Sequence, residues 1–202
     1  MNVKIGQCEV SLSFPFFAAV AAALVLDRTG YIGLGLFAAL LHESGHLLAM
    51  ALVHSLPQKI RFSAFRIDIV DQNRTRQSYQ KDILILLGGP LMNFAAALGL
   101  LPFANGEHPF LLYLLCANLI LGVFNLLPIE ALDGGQLLVA LLLPKIGPQK
   151  CAVLINVLSV AVIVPLGVLG FLVLLQSKYN FSLLFLSCYL MALMVLRRTH
   201  TV

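Results

Sequence analysis

The stretch Thr29–Val53 reads TGYIGLGLFAALLHESGHLLAMALV and is apolar except for one short interruption, His42-Glu43-Ser44-Gly45-His46. A helix over this stretch is long enough to cross the ~30 Å hydrocarbon core of a bilayer. An ionisable side chain at that depth costs about 2.5–3.5 kcal/mol on insertion scales. Three such residues within one helical turn therefore predict a functional site inside a membrane helix.

The spacing of the two histidines indicates the kind of site. Residues four apart share one face of a helix, so His42 and His46 can bind one zinc ion, with Glu43 beside it as a general base. This is the pattern of a zinc peptidase. The alternative is a buried cluster of the same three residues that joins two helices by hydrogen bonds alone. Polar contacts between membrane helices use Ser, Thr or Asn more often, which favours the metal site.

Composition predicts that the whole chain is a membrane protein. Hydrophobic residues make up 60% of its 202 residues and charged residues 11%, and the mean hydropathy is +0.95. We expect an all-α polytopic fold, with a single domain over residues 1–202 and a catalytic core at about 29–143. Apolar runs predict about six transmembrane helices, at Val10–Leu26, Thr29–Val53, Ile83–Phe103, Pro109–Ile129, Cys151–Leu175 and Phe181–Leu196. A shorter run, Leu132–Leu143, predicts a partial helix.

The distribution of basic residues predicts the orientation. With six spans both termini lie on one side of the membrane. Of the 13 Lys and Arg residues only Arg28 and Lys178 lie on the opposite side. Because cytoplasmic loops carry the excess of Lys and Arg, both termini should be cytoplasmic, in what we expect to be a prokaryotic cell membrane. The net charge of +4 follows from this topology and does not indicate nucleic-acid binding.

A catalytic zinc ion needs a third protein ligand and one open position for water. The segment Asn125–Gly135, NLLPIEALDGG, offers two carboxylates, Glu130 and Asp133. Pro128 must end or break the fourth helix. Irregular backbone at membrane depth is tolerated where it lines a cavity, so this segment is the natural source of the third ligand. The chemistry alone leaves the choice between the two carboxylates open.

Three motifs together resemble the site-2 protease family of intramembrane zinc metalloproteases, peptidase family M50. They are His42-Glu43-x-x-His46, Gly88-Gly89-Pro90-x-x-Asn93 and Asn125-x-x-Pro128-x-x-x-x-Asp133-Gly134, in that order along the chain. H-E-x-x-H alone names a broad class of zinc peptidases, but the combination in a polytopic chain is specific. Within the family, the chain is most similar to the sporulation-type (stage IV FB) branch, on the expectation of a short architecture without an inserted or regulatory domain.

The resemblance implies a role for each of five residues. His42, His46 and Asp133 would bind one Zn²⁺ per chain. Glu43 would take a proton from the attacking water and pass it to the leaving amine. Asn125 would help to bind substrate or stabilise the oxyanion.

Two further features each have two interpretations. Glu130 departs from the family pattern and is either a solvated side chain at the cytoplasmic rim or a carboxylate that hydrogen-bonds a ligand histidine. Gly88-Gly89-Pro90 is either part of the family motif or a point of close helix packing and kinking. We interpret Asn93 as a residue that hydrogen-bonds between packed helices, in preference to a catalytic role.

The segment Gln58–Gln72 alternates apolar and polar residues and predicts two short strands in a small β-hairpin-like segment, with a phase slip at Ala64–Phe65. One interpretation is an amphipathic loop on lipid headgroups. The other is an edge strand in which Phe65, Ile67 and Ile69 bind unwound substrate by β-augmentation. The two interpretations are equally favoured.

These features predict a zinc-dependent intramembrane endopeptidase that cleaves a peptide bond in or next to a transmembrane segment, as in regulated intramembrane proteolysis. Its partners would be a membrane-anchored protein substrate and the lipid bilayer. The sequence does not identify a regulatory partner, and the prediction allows for one. The alternative is a membrane metal-binding or metal-transport protein, because ionisable residues in broken helices also mark ion pathways.

Overall fold

The computed structural model describes residues 2–5, 8–12, 14–54, 59–63, 66–70, 79–104, 108–177 and 181–199. The chain divides into two compact units, Met1–Val123 and Phe124–Val202. The strands are β1 (Asn2–Ile5), β2 (Cys8–Leu12), β3 (Lys59–Ser63) and β4 (Arg66–Val70). The helices are α1 (Phe14–Leu26), α2 (Tyr31–Leu52), α3 (Tyr79–Leu100), α4 (Pro109–Asn125), α5 (Asp133–Ile146), α6 (Pro148–Ser177) and α7 (Ser182–Thr199).

The first unit begins with a four-stranded sheet in the order β1-β2-β3-β4. The outer pairs are antiparallel and the central pair, β2 with β3, is parallel. The two strands that the alternating segment predicts occur as β3 and β4, and their partners β1 and β2 were not predicted. Ala64 and Phe65, where the predicted phase slip falls, lie outside the described residues.

The register aligns the strands residue by residue. Val10 pairs with Ile60, and Ile60 pairs with Ile69. At the neighbouring position Glu9 pairs with Lys59.

The first predicted helix is wrong at its beginning. Val10–Leu26 reads as one apolar run, but Val10 and Leu12 belong to β2, and α1 begins only at Phe14. Glu9 and Ser11 alternate with these apolar residues, and a period of two is the pattern of a strand.

Helices α2 and α3 pack with their backbones in close contact. A Cβ atom added at Gly45 would lie 2.6 Å from the Cβ of Met92 and would overlap the carbonyl group of Gly88. A Cβ added at Gly88 would lie 2.8 Å from the Cβ of Ala49. Small residues at the contact are what allows such an approach between membrane helices, which supports the close-packing interpretation of Gly88.

The turn before α2 is held by the carboxylate of Asp27. Its Oδ1 accepts hydrogen bonds from the backbone N–H of Gly30 at 2.8 Å and from the hydroxyl of Thr29 at 3.0 Å. Its Oδ2 accepts from the N–H of Gly33 at 3.0 Å. Partial burial raises the pKa of Asp27, but the hydrogen bonds from Gly33, Thr29 and Gly30 outweigh it, and the net pKa lies below the ordinary 3.8.

This depressed pKa predicts a pH-dependent contribution to stability. Asp27→Asn should lower the melting temperature of the detergent-solubilised protein at pH 7, because an amide cannot accept all of these bonds. The contribution of Asp27 is present above pH 3.8 and is lost as the pH falls through the lower pKa of the folded state. The difference between wild type and Asp27→Asn should therefore shrink below that pH. An equal difference at pH 7 and pH 3 would contradict the assignment.

The second unit has its own apolar core. Ile129 and Ile163 are each 1% exposed and pack with Leu190 and Met194 of α7. Helices α6 and α7 approach closely at Gly170, where an added Cβ would lie 2.6 Å from the backbone nitrogen of Leu184. The predicted partial helix Leu132–Leu143 is present as α5.

The prediction of about six spanning helices is not supported. Among the described residues, three helical segments are long and apolar enough to cross a membrane, Tyr31–Leu52, Tyr79–Phe103 and Pro148–Ser177. Helix α4 and the Ser182–Met194 part of α7 are apolar but shorter, and α1 has 13 residues. The fourth predicted run, Pro109–Ile129, is shortened because α4 ends at Asn125, before Pro128.

Candidate metal centre

The two histidines of the H-E-x-x-H motif lie together on one buried face of α2. His42 is 5% exposed and His46 is 7% exposed. Their Nε2 atoms are 3.1 Å apart, and the ring planes are inclined by 82°. In a tetrahedral site with Zn–N bonds of ~2.0–2.1 Å, two ligand nitrogens lie about 3.3 Å apart. The spacing of the two Nε2 atoms therefore suits a shared metal ion.

The opposite ring nitrogen of each histidine faces an oxygen acceptor. Nδ1 of His42 lies 2.6 Å from Oδ1 of Asn93, and Nδ1 of His46 lies 2.8 Å from the carbonyl oxygen of Ile85. A backbone carbonyl can only accept, so Nδ1 of His46 must donate. The same holds for His42, because both hydrogens on Nδ2 of Asn93 are directed at other oxygens. A ring that donates from Nδ1 in its neutral form presents an unprotonated Nε2, the form that binds a metal.

Gly89 provides the space for the two imidazole rings. A Cβ atom added there would lie 2.6 Å from Nε2 and 2.7 Å from Cε1 of His42, and it would overlap Nε2 of His46. The neighbouring residue Pro90 lies inside α3 and is buried. Adjacent glycines therefore provide two kinds of space: Gly88 allows the backbone of α2 to approach, and Gly89 leaves room for the side chains of His42 and His46.

Asp133 is the first residue of α5 and is half-buried. A carboxylate in the first turn of a helix is stabilised by the backbone N–H groups and the positive end of the helix dipole, so this position favours the ionised form that a metal needs. Glu130 lies in the connection before α5, outside any helix.

The connection between α4 and α5 is fixed from several directions within the second unit. The side chain of Ile129 lies in the core, and the backbone N–H of Glu130 donates to Oγ of Ser159 at 2.9 Å. A Cβ at Gly135 would lie 2.7 Å from the backbone nitrogen of Glu130, and a Cβ at Gly134 would overlap the preceding backbone at Leu126. The connection thus lies across the first turn of α5 and holds the backbone of Asp133.

Among the residues that the structure describes, the candidate metal ligands are His42 and His46 in the first unit and Asp133 in the second. Two imidazole nitrogens and one carboxylate oxygen are a donor set that catalytic zinc uses in proteins. The residues present therefore fit zinc.

The remaining predicted site residues have separate positions. Glu43 follows His42 on α2 and is half-buried, and Asn125 is the last residue of α4. Ile67 and Ile69 lie on β4, an edge of the sheet, and Phe65 lies outside the described residues. The catalytic and substrate-binding roles of these residues stay predictions.

Two polar residues that the sequence analysis did not single out support the site. Asn118, on α4, is 0% exposed and hydrogen-bonds Asn93, and Ser159, on α6, is 0% exposed and holds the backbone of Glu130. The available signal was a polar residue within an apolar stretch of helix, because such a residue must find a partner at membrane depth.

Comparison with known proteins agrees with this arrangement. Residues 101–166 match the model of peptidase family M50, and this segment contains Asn125 and Asp133. Among solved structures, the chain is similar to the site-2 protease from Methanocaldococcus jannaschii, with 23% identity, 94% of this chain and 91% of that chain covered, and a TM-score of 0.65. The chain has the fold of a site-2 protease. No curated protein matches it significantly.

The site-2 protease fold and the partial match to family M50 agree with the coarse part of the sequence analysis, a largely helical chain with helices long and apolar enough to cross a membrane. The match to family M50 begins at residue 101 and so does not include the H-E-x-x-H motif. Of the candidate metal ligands, Asp133 lies inside the family match and His42 and His46 lie outside it. No comparison tests the sporulation-type branch, which stays a prediction.

Proposed function

We propose that the protein is a zinc-dependent intramembrane endopeptidase of the site-2 type, in which His42, His46 and Asp133 bind one zinc ion. The observation that carries the proposal is the hydrogen bonding of the two buried histidines. Each ring donates from Nδ1 to an oxygen, and the two Nε2 atoms lie 3.1 Å apart. Two unprotonated nitrogens at this distance suit a shared cation, which both lone pairs can bind.

The reaction assigned to the site is hydrolysis of a peptide bond. Zinc, when bound, polarises a carbonyl group and makes water a stronger acid and nucleophile. Glu43 accepts a proton from the attacking water and delivers it to the nitrogen of the leaving amine. Asn125 donates from its side-chain amide to the carbonyl oxygen of the substrate, on which negative charge develops.

The proposed substrate is a membrane-anchored protein cleaved in or next to its transmembrane segment. A helical segment hides its peptide bonds in internal hydrogen bonds, so the protease has to bind it in extended form. Strand β4 is an edge of the sheet and can pair with an added strand, which supports binding of unwound substrate along Ile67 and Ile69. Phe65 is proposed to extend the same surface.

The proposed orientation places both termini in the cytoplasm of a prokaryotic cell. Parallel pairing of β2, which precedes α1, with β3, which follows α2, supports a common side for the N-terminus and the α2–α3 connection. Lys4, Lys59 and Arg61 are basic residues on that side, as expected of a cytoplasmic surface. Zinc at the level of His46 would then be nearer to the cytoplasm than to the opposite side.

The test combines metal analysis with cleavage. Purified wild type should contain about one zinc ion per chain and should cleave at least one member of a panel of membrane-anchored, tagged substrates, with the cut located by mass spectrometry. His46→Asn should lose zinc and activity. His54→Asn is the matched control at the end of the same helix, and it should retain both, because His54 is exposed and outside the metal group.

Two results would contradict the proposal. Retention of stoichiometric zinc by His46→Asn would show that the metal site is wrong. Zinc-loaded wild type that cleaves no substrate, but carries zinc into proteoliposomes, would favour a metal-transport protein instead.

A further inference from the structure

We propose that Asn118 and Asn93 form a hydrogen-bonded relay that fixes His42 in the Nδ1-protonated tautomer. Asn118 is then a positioning residue for a metal ligand that lies two hydrogen bonds away. The inference rests on the proposed function in one respect, that the ring held in this way binds zinc. The relay runs from α4 through α3 to α2, within the first unit.

The polarity of the relay is fixed at its far end. Nδ2 of Asn118 donates to the carbonyl oxygen of Leu114 at 2.8 Å. Because a carbonyl oxygen can only accept, the amide nitrogen of Asn118 must face it, and Oδ1 must point the other way. That Oδ1 accepts from Nδ2 of Asn93 at 2.8 Å.

Asn93 transmits this polarity to the metal ligand. Its Nδ2 also donates to the carbonyl oxygen of Ala38 at 3.1 Å, one helical turn before His42. Both amide hydrogens of Asn93 are thus used, and Oδ1 faces Nδ1 of His42 at 2.6 Å. A flipped amide would place its oxygen against two acceptors and its nitrogen against the imidazole.

Because the two asparagines are buried, the loss of one hydrogen bond in the relay affects the next residue. Asn93 and Asn118 are both 0% exposed, so bulk water cannot replace a lost partner. Without the acceptor on Asn118, the amide of Asn93 has one unpaired N–H and loses a restraint on which way it faces. His42 then samples the tautomer in which Nε2 carries the proton, and that tautomer cannot bind zinc through Nε2.

Two substitutions of similar size separate polarity from packing. Asn118→Leu removes both hydrogen bonds and replaces the amide by a somewhat larger apolar side chain. Asn118→Asp keeps the length, and its protonated form can still donate to Leu114 and accept from Asn93. Its ionised form has only acceptors, one of which would face the carbonyl oxygen of Leu114.

The first measurement is the tautomer of each histidine in the metal-free protein, from ¹⁵N chemical shifts of the ring nitrogens. Asn118→Leu should raise the Nε2-protonated population of His42. His46 is an internal control, because its Nδ1 donates to Ile85 and should be unaffected. The second measurement is zinc affinity by chelator competition, which should fall roughly 10-fold in Asn118→Leu.

The pH profile provides a signature that a purely structural role would not produce. Asn118→Asp should match wild type in tautomer and zinc affinity whether or not the new carboxyl group is ionised, because both forms keep an acceptor for Nδ2 of Asn93. Only its melting temperature should fall once ionisation removes the donor to Leu114. The ratio of zinc affinity between Asn118→Leu and wild type should stay nearly constant over the same range.

Leu115→Ala is the matched control for lost packing on the same helix, since Leu115 is 6% exposed. It should lower the melting temperature without changing the tautomer of His42. The relay is overturned if Asn118→Leu leaves both tautomer and zinc affinity within twofold of wild type, or if Leu115→Ala changes them equally. If wild type binds no zinc but Asn118→Leu still changes the tautomer of His42, the relay is supported and the proposed function is refuted.

Discussion

Glu43→Gln is expected to reduce peptide cleavage by about 10²–10⁴-fold, the range that a general acid–base residue contributes. The substitution keeps the size of the side chain and removes its ability to accept a proton at neutral pH. Zinc content should stay at the wild-type level, because Glu43 is not in the group of His42, His46 and Asp133. The measurement is the cleavage rate of the best substrate from the panel, with metal analysis on the same preparation.

Ser44→Ala is the matched control for this substitution. Ser44 is the next residue on α2, is exposed, and donates only to the carbonyl oxygen of Leu41 at 2.6 Å in the hydrogen bonds that the structure records for it. Its cleavage rate should stay within a few-fold of wild type. Loss of zinc from Glu43→Gln would assign Glu43 to the metal site, and unchanged cleavage would remove it from the reaction. Altered zinc flux with no cleavage in either protein would favour transport.

Gly89→Ala is expected to weaken zinc binding by roughly 100-fold, the upper end of the effect of disturbing the groups around metal ligands. The added methyl group would occupy the space of both imidazole rings. Neither ring can move aside easily, because each is hydrogen-bonded through Nδ1 to an acceptor on α3, Asn93 or Ile85. Any shift that relieves the overlap therefore breaks a hydrogen bond or moves Nε2 away from the metal.

Gly99→Ala is the control on the same helix, because a Cβ at Gly99 meets no atom within 4 Å. Alanine favours a helix over glycine by about 1 kcal/mol, and this gain is common to both substitutions. Gly99→Ala should bind zinc as wild type does and melt at the same or a higher temperature. Equal zinc affinity in the two variants would show that Gly89 does not provide the space for the histidines.

Much of the site could be predicted from local sequence, because its chemistry is carried by short motifs. The i, i+4 spacing of His42 and His46 fixes their common helix face wherever the helix lies. Pro128 predicts a break before Asp133, since proline cannot continue a helix from the residues before it. The structure ends α4 at Asn125 and begins α5 at Asp133, which agrees with that prediction.

The supporting residues could not be assigned in the same way. Nothing local to Asn118 indicates that it meets Asn93, 25 residues away in sequence. The same is true of Ser159 and Glu130, whose hydrogen bond joins residues 29 apart. The predicted number of spanning helices is too high for the described residues, in part because hydropathy alone does not separate β2 from α1 in the run from Val10 to Leu26.

The sequence by itself determined the long apolar helices and the common helix face of His42 and His46, because apolar composition and a 3.6-residue period act locally and need no other part of the chain. Only the tertiary structure decided which nitrogen of each histidine is available. That depends on Asn93 and Ile85, which reach α2 only because Gly45 and Gly88 allow two helices to pack backbone to backbone. Such a contact joins residues about forty positions apart, and no local propensity encodes it.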